Sequence, residues 1–254
     1  MLTDFGLKDG FVGTMKGVIL GINPSAKIVD ISHDISPQNI MEASYVLKSS
    51  SPYFPAGTIF LVVIDPGVGS NRKAIIVKTS HFTYTGPDNG VLSGIYNQAE
   101  DDVIEITNKD YLLPDISNTF HGRDIFAPVA AYLSTGISPY LIGTKIDNIT
   151  YINNINPLID NKNTITGTII YTDRFGNLIT NLKENFFHEH GIKNINIKGN
   201  IINGLSNSYS EKRPGELLAI KGSSGYIEIA VNQGHAGKLL QAGTNDTVIV
   251  KSEK

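Results

Sequence analysis

Thr58-Ile-Phe-Leu-Val-Val-Ile64 runs straight into Asp65-Pro66-Gly67. The run is apolar and rich in β-branched residues, without alternation of polar and apolar positions. That is the pattern of a strand buried on both faces of a parallel sheet. It stops abruptly at a carboxylate and a turn dipeptide. Upstream, Lys27–Ile31 reads as another strand. Ser36-Pro37 reads as an N-cap followed by proline at the first helical position, and Ile40, Ala43, Val46 and Leu47 follow on one helical stripe. Downstream, Ala74–Lys78 and Phe82–Thr85 read as strands. Arg123–Leu133 reads as a helix with Ile125, Phe126, Val129, Ala130 and Leu133 on one side. Strands alternating with helices predict an α/β domain with a mostly parallel central sheet.

The second half changes character. Asn153–Asn163 is rich in Asn and holds Pro157, the composition of a linker. Beyond it, Thr164–Tyr171, Leu217–Ile220, Gly225–Val231 and Asp246–Lys251 read as short strands separated by Gly and Asn turns. In the third, Ile227, Ile229 and Val231 alternate with Tyr226, Glu228 and Ala230, the period of a half-buried strand. The expected organisation is an α/β N-terminal domain (1–155), a linker (156–163) and a smaller C-terminal all-β barrel (164–254).

Composition narrows the function classes. Of 254 residues, 41% are hydrophobic and 18% charged, enough to bury a core. The net charge of −3 lacks the basic footprint of a nucleic-acid binder. With no cysteine, disulfides, thiolate metal sites and cysteine nucleophiles are excluded. No apolar run reaches the roughly 20 residues that span a bilayer. The opening Met1-Leu-Thr-Asp-Phe-Gly-Leu-Lys-Asp-Gly10 lacks the basic-then-apolar order of a signal peptide, so the expected location is the cytoplasm.

Polar residues concentrate at turns. In open α/β sheets ligands bind beyond the carboxyl ends of strands, where Asp65 falls. Asp-Pro-Gly is also good turn chemistry, so Asp65 is either a turn residue or a site residue. Asp4 in Thr3-Asp-Phe-Gly6 poses the same choice. His121, in Phe120-His-Gly-Arg-Asp124, is a structural hydrogen-bonder or a site group, and Asp124 complements a helix dipole or joins the site. Asp173-Arg-Phe-Gly-Asn177 is a tight turn or a ligand loop. Gly67-Val-Gly69 lacks the third glycine of a dinucleotide site, and no phosphate-cradling GxxxxGK[ST] occurs. Gly222-Ser-Ser-Gly225 has the wrong spacing for a nucleophile elbow. His188-Glu-His190 is too short for HExxH and reads as surface. Spacing alone names no reaction.

Taken together and in order, these turns resemble the S-adenosylmethionine hydroxide adenosyltransferases, relatives of the fluorinase and chlorinase. The resemblance is carried by Thr3–Gly6, Val62–Ser70, Asn71–Lys73, Pro87–Leu92, Thr119–Ala131, Asp173–Asn181 and Ser223–Gly234. It implies cleavage of S-adenosylmethionine to adenosine and methionine by water attacking the ribose C5′. It also implies a homotrimer with active sites at subunit interfaces. The water-holding set maps onto Asp65, Arg72 and His121. Halogenases lack the acidic residue at Asp65 and carry Tyr-Ser in place of His121-Gly122. They also insert a loop where this chain is short, between Lys78 and Pro87. All three differences favour water over halide.

For binding, the resemblance implies Asp4 for the ribose hydroxyls and Asp173 and Ser223 for the methionine amino-acid end. Asn177, Tyr209 and Asn232 fall at the adenine. No metal and no cofactor is expected, S-adenosylmethionine being the substrate. Family members have a full strand before the Thr-Asp-Phe-Gly motif. Here only two residues precede Thr3, so that strand is short or the start lies upstream. The competing readings are a halogenase, a non-catalytic sensor of adenosine or S-adenosylmethionine, and a structural protein without ligand affinity.

Overall fold

The structure, a computed structural model, describes residues 1–152, 156–160, 164–186 and 192–252. The His188-Glu189-His190 reading and residues 161–163 of the expected linker lie outside the described residues. The chain divides into two compact units, Met1–Ile152 and Asn153–Lys254.

The first unit is built on six strands: β1 (Leu2–Thr3), β2 (Ile59–Val63), β3 (Ala74–Lys78), β4 (Thr83–Pro87), β5 (Asp102–Ile106) and β6 (Gly143–Ile146). Their order is β1-β2-β4-β3-β5-β6. β1, β2 and β4 pair in parallel. β3, β5 and β6 extend the sheet with antiparallel pairings. β2 explains its own composition. Phe60 and Val62 enter one core with Leu47 and Ile75, under helix α2 (Ile40–Ser50). Leu61 and Val63 enter another with Met15 and Phe126, under α1 (Phe11–Ile22) and α3 (Ala127–Ser134). Both faces are covered, so no position of the strand is free to be polar.

Three local expectations are corrected. Lys27–Ile31 forms no strand. Ile31 N–H donates to the Met1 carbonyl at 2.8 Å and Thr3 N–H to that of Ser32 at 3.0 Å, leaving one isolated bridge, because two-residue β1 offers too little edge for a ladder. Helix α2 is capped by Asn39, not Ser36. The Asn39 side chain accepts from Glu42 N–H at 3.1 Å, the N-cap bond, and its amide donates to Glu42 Oε2 at 3.0 Å. The Arg123–Leu133 helix opens as a π-turn, Gly122–Phe126, before α3. Pro128 has no N–H for the Asp124 carbonyl four residues back, and that carbonyl accepts from Leu113 N–H at 3.0 Å instead.

The second unit is a curled antiparallel sheet of eight strands, nearly closed, in the order β11-β10-β14-β8-β9-β13-β12, with β7 beside β8. These are β7 (Leu158–Ile159), β8 (Thr164–Thr172), β9 (Leu178–Lys183), β10 (Ile192–Ile197), β11 (Asn200–Asn203), β12 (Leu217–Lys221), β13 (Tyr226–Val231) and β14 (Thr247–Ser252). β7 lies within the stretch read as linker. Inside the curl pack Ile165, Ile169, Leu182, Ile197, Ile227, Ile229 and Val250. β13 departs from the half-buried pattern, for Glu228 and Ala230 on its other face are buried too.

Candidate active site

The parallel register Thr3↔Val63 delivers Asp4 and Asp65 at the carboxyl ends of neighbouring strands β1 and β2. A cavity of about 370 Å³ opens there, within the size range of ligand sites. Asp4, Gln38, Asp65, Phe120 and His121 are among its lining residues.

Asp65 is followed by a tight loop in which Val68 N–H donates to the Asp65 carbonyl at 3.2 Å and Ser70 N–H to that of Gly67 at 3.0 Å. The loop turns Arg72 back onto Asp65. Arg72 Nε lies 2.9 and 3.0 Å from the two carboxylate oxygens, and Nη2 donates to Oδ2 as well. The pair is nearly out of water, with side-chain exposures of 9% for Arg72 and 5% for Asp65. The guanidinium also lies 5.3 Å from the Phe126 ring centre, a cation–π distance. Gly69, at φ +79°, brings this loop against the next one. A β-carbon there would meet the Asn118 carbonyl at 2.5 Å, so only glycine serves both the backbone and the contact.

His121 comes from that second loop. Asp124, fully buried, anchors it by accepting from Ser117 N–H at 2.9 Å and from Arg123 Nε at 2.6 Å. Arg72 Nη2 stands 2.7 Å from His121 Nδ1. A guanidinium only donates, so Nδ1 accepts and the ring proton sits on Nε2. Burial, followed by the charge of Arg72, holds the His121 pKa below its usual value, while Asp65, Asp124 and a hydrogen bond with the Ser117 backbone oppose this. The imidazole is therefore neutral at pH 7.

Asp4 accepts from Gln38 N–H at 2.8 Å. Gln38 holds φ at +65°, a left-handed conformation uncommon outside Gly and Asn. Thr3, buried beside Asp4, is bonded through its hydroxyl to His33 Nδ1 at 2.8 Å, and His33 Nε2 lies 3.0 Å from Asp30. Gln38 and the ring cluster Phe5, Phe11 and Phe120, with centroids 5.2–5.8 Å apart, were not singled out from the sequence. Phe5 and Phe120 lie inside the quoted motifs, but Gln38 carries no local signal.

The other candidates lie in the second unit. Asp173 closes the β8–β9 turn: Oδ1 accepts from Phe175 N–H at 2.9 Å and Asn177 N–H at 2.8 Å, and Oδ2 from Asn177 Nδ2 at 2.9 Å. Asp173 and Asn177 are thus brought together. Tyr209, in the single turn Tyr209–Glu211, donates its hydroxyl to Glu228 Oε2 at 3.1 Å. Ser223 is exposed in the Gly222–Gly225 turn. Asn232 donates from Nδ2 to the Lys212 carbonyl at 2.7 Å, which ties down the segment after Tyr209. Among the described residues no cluster of three His, Asp or Glu forms a metal-binding group, and no helix is long and apolar enough to cross a membrane.

Residues 1–143 match the SAM hydroxide adenosyltransferase N-terminal domain, and residues 167–249 match the C-terminal domain of the same family. An (R)-S-adenosyl-L-methionine hydrolase of Methanocaldococcus jannaschii is 36% identical over 98% of this chain and 93% of its own. A fluorinase of Nocardia brasiliensis is more distant, at 23% over 91% and 89%. The crystal structure of an uncharacterized conserved protein from Thermotoga maritima superposes with a TM-score of 0.90, at 37% identity and 98% coverage of both chains.

Proposed function

The chain belongs to the SAM hydroxide adenosyltransferase family, and from that premise we propose that it hydrolyses S-adenosyl-L-methionine to adenosine and L-methionine. The observation that carries this reading is the joined Asp65–Arg72–His121 set, of which Asp65 and His121 line the same cavity as Asp4 while Arg72 bonds to both. The name of the Methanocaldococcus relative supports the (R) epimer at sulfur as the form cleaved.

The reaction is a displacement at C5′. The leaving thioether is neutral, so no acid assists it. Water is the difficulty. Its pKa is about 15.7, each unit of lowering takes about 1.36 kcal/mol, and one hydrogen bond to a charged group contributes roughly 1.5–3 kcal/mol. Arg72 cannot sustain a standing hydroxide, so water loses its proton during attack. His121 Nδ1 already accepts from Arg72, and in the neutral ring Nε2 carries a proton, so the imidazole has no free lone pair. Asp65 is therefore the acceptor. Arg72 stabilises the developing negative charge, and His121 holds Arg72 in line.

Asp4 binds the ribose hydroxyls. Asp173 and Ser223 hold the amino-acid end, and Asn177, Tyr209 and Asn232 the adenine. With His121 neutral, Asp4 and Asp65 against Arg72 leave one surplus negative charge at the cavity. That suits a sulfonium and opposes a halide, which disfavours the halogenase alternative. The mechanism calls for no metal and no cofactor. The family resemblance supports a homotrimer with active sites at subunit interfaces, and a substrate made inside cells supports a cytoplasmic location. Purified protein incubated separately with each sulfonium epimer should release adenosine and methionine in equal amounts from the (R) form. Binding without turnover, or a halogenated nucleoside in the presence of halide, would overturn the assignment.

A further inference from the structure

We propose that Glu228 is a positioning residue for the nucleoside site: its buried carboxyl group holds the Tyr209 hydroxyl and so fixes the ring that packs on adenine. The inference rests on the role of Tyr209 given above.

Glu228 is 9% exposed. It sits on β13 opposite Ile220 of β12, on the face where Leu218, Ile220 and Ala230 cluster. Burying a carboxyl group among apolar side chains is unfavourable, and an apolar residue there would serve packing better. Burial and the nearby charge of Asp173 push its pKa up, and the bond from Tyr209 opposes them. The Tyr209 phenol is pushed up to about 12, by burial first and by Glu228 next, so it remains an O–H donor.

Tyr209 needs such a hold. It stands in one isolated turn and is 42% exposed, so its own backbone fixes only the Cα end. The bond to Glu228 at 3.1 Å pins the far end to a central strand. Room for the carboxyl group comes from Gly222, where a β-carbon would lie 1.9 Å from Glu228 Oε1. An ordered ring binds a base at lower entropic cost than a mobile one.

The test is calorimetric adenosine binding, with S-adenosylmethionine turnover and melting temperature alongside. It uses wild type, Tyr209→Phe, Glu228→Leu, Glu228→Gln and the Tyr209→Phe/Glu228→Leu double variant. Adenosine affinity should fall about tenfold in Tyr209→Phe and in Glu228→Leu. It should fall no further in the double variant, because both remove one interaction. Glu228→Gln keeps an acceptor oxygen and should restore affinity to within about threefold of wild type. Glu228→Leu should melt no lower than wild type, which separates positioning from stability. Unchanged affinity in Glu228→Leu, or a loss that adds in full to that of Tyr209→Phe, would overturn the proposal. If wild type binds adenosine but does not cleave S-adenosylmethionine, the hydrolase reading falls and the binding series still judges Glu228. If wild type binds no adenosine, both fall.

Discussion

Arg72 Nη2 and His121 Nδ1 meet at 2.7 Å across forty-nine positions of sequence. The contact exists only while Nδ1 is unprotonated, since an imidazolium would set an N–H against an N–H. Burial and Arg72 itself hold the imidazole below its usual pKa. Turnover should therefore stay level as pH falls to about 6.5 and decline only below that, as His121 protonates and releases Arg72. Stability has the same sign. Between the lowered folded pKa and about 6.5 the unfolded chain binds more protons than the folded one. The contribution is complete above about 6.5 and lost as pH falls through the folded value. Rate and denaturant midpoint measured across that window check both, and His121→Ala should abolish the low-pH limb.

Asp65→Asn leaves the buried Arg72 without its counter-charge and removes the proposed proton acceptor. The rate should drop by about 10²- to 10⁴-fold, and stability by about 3–5 kcal/mol. His121→Ala should cost less in rate than Asp65→Asn. Single-turnover kinetics on both variants decide which residue takes the proton; the reverse order would move that role to His121.

On the proposed reading, Asp4 offers one carboxylate to two adjacent ribose hydroxyls. Asp4→Asn should raise KM about 10- to 100-fold, the equivalent of one weakened charge-assisted interaction, with a smaller fall in kcat. A substrate lacking the 2′-hydroxyl should lose less with Asp4→Asn than with wild type. Equal losses would place Asp4 away from the ribose.

Gln38 contributes a backbone N–H to Asp4 from a left-handed conformation. Gln38→Gly relieves the strain and keeps the donor, so the melting temperature should hold or rise. Gln38→Val should destabilise by about 1–2 kcal/mol and raise KM by disturbing Asp4. Thermal melts and steady-state kinetics on the pair separate backbone geometry from side-chain chemistry.

What the chain declares by itself is whatever depends on local pattern. The apolar run before Asp65 announces a strand covered on both faces, and short strands with Gly and Asn turns announce the β unit. The ordered motifs name the family. Local pattern misplaced the cap of α2, because Ser36-Pro37 and Asn39-x-x-Glu42 both look like helix starts, and only the side-chain bonds of the second hold. What tertiary structure alone decided is how the motifs are used. Asp4 and Asp65 become neighbours through the parallel register of β1 and β2. Arg72 turns back to seize Asp65, and His121 lends its Nδ1 lone pair to Arg72. Glu228, an ordinary member of an alternating strand in sequence, becomes a buried partner of Tyr209. The physical reason is common to all of these. Periodicity reports which face a residue takes, whereas the state of a charge or a lone pair depends on atoms supplied by distant segments.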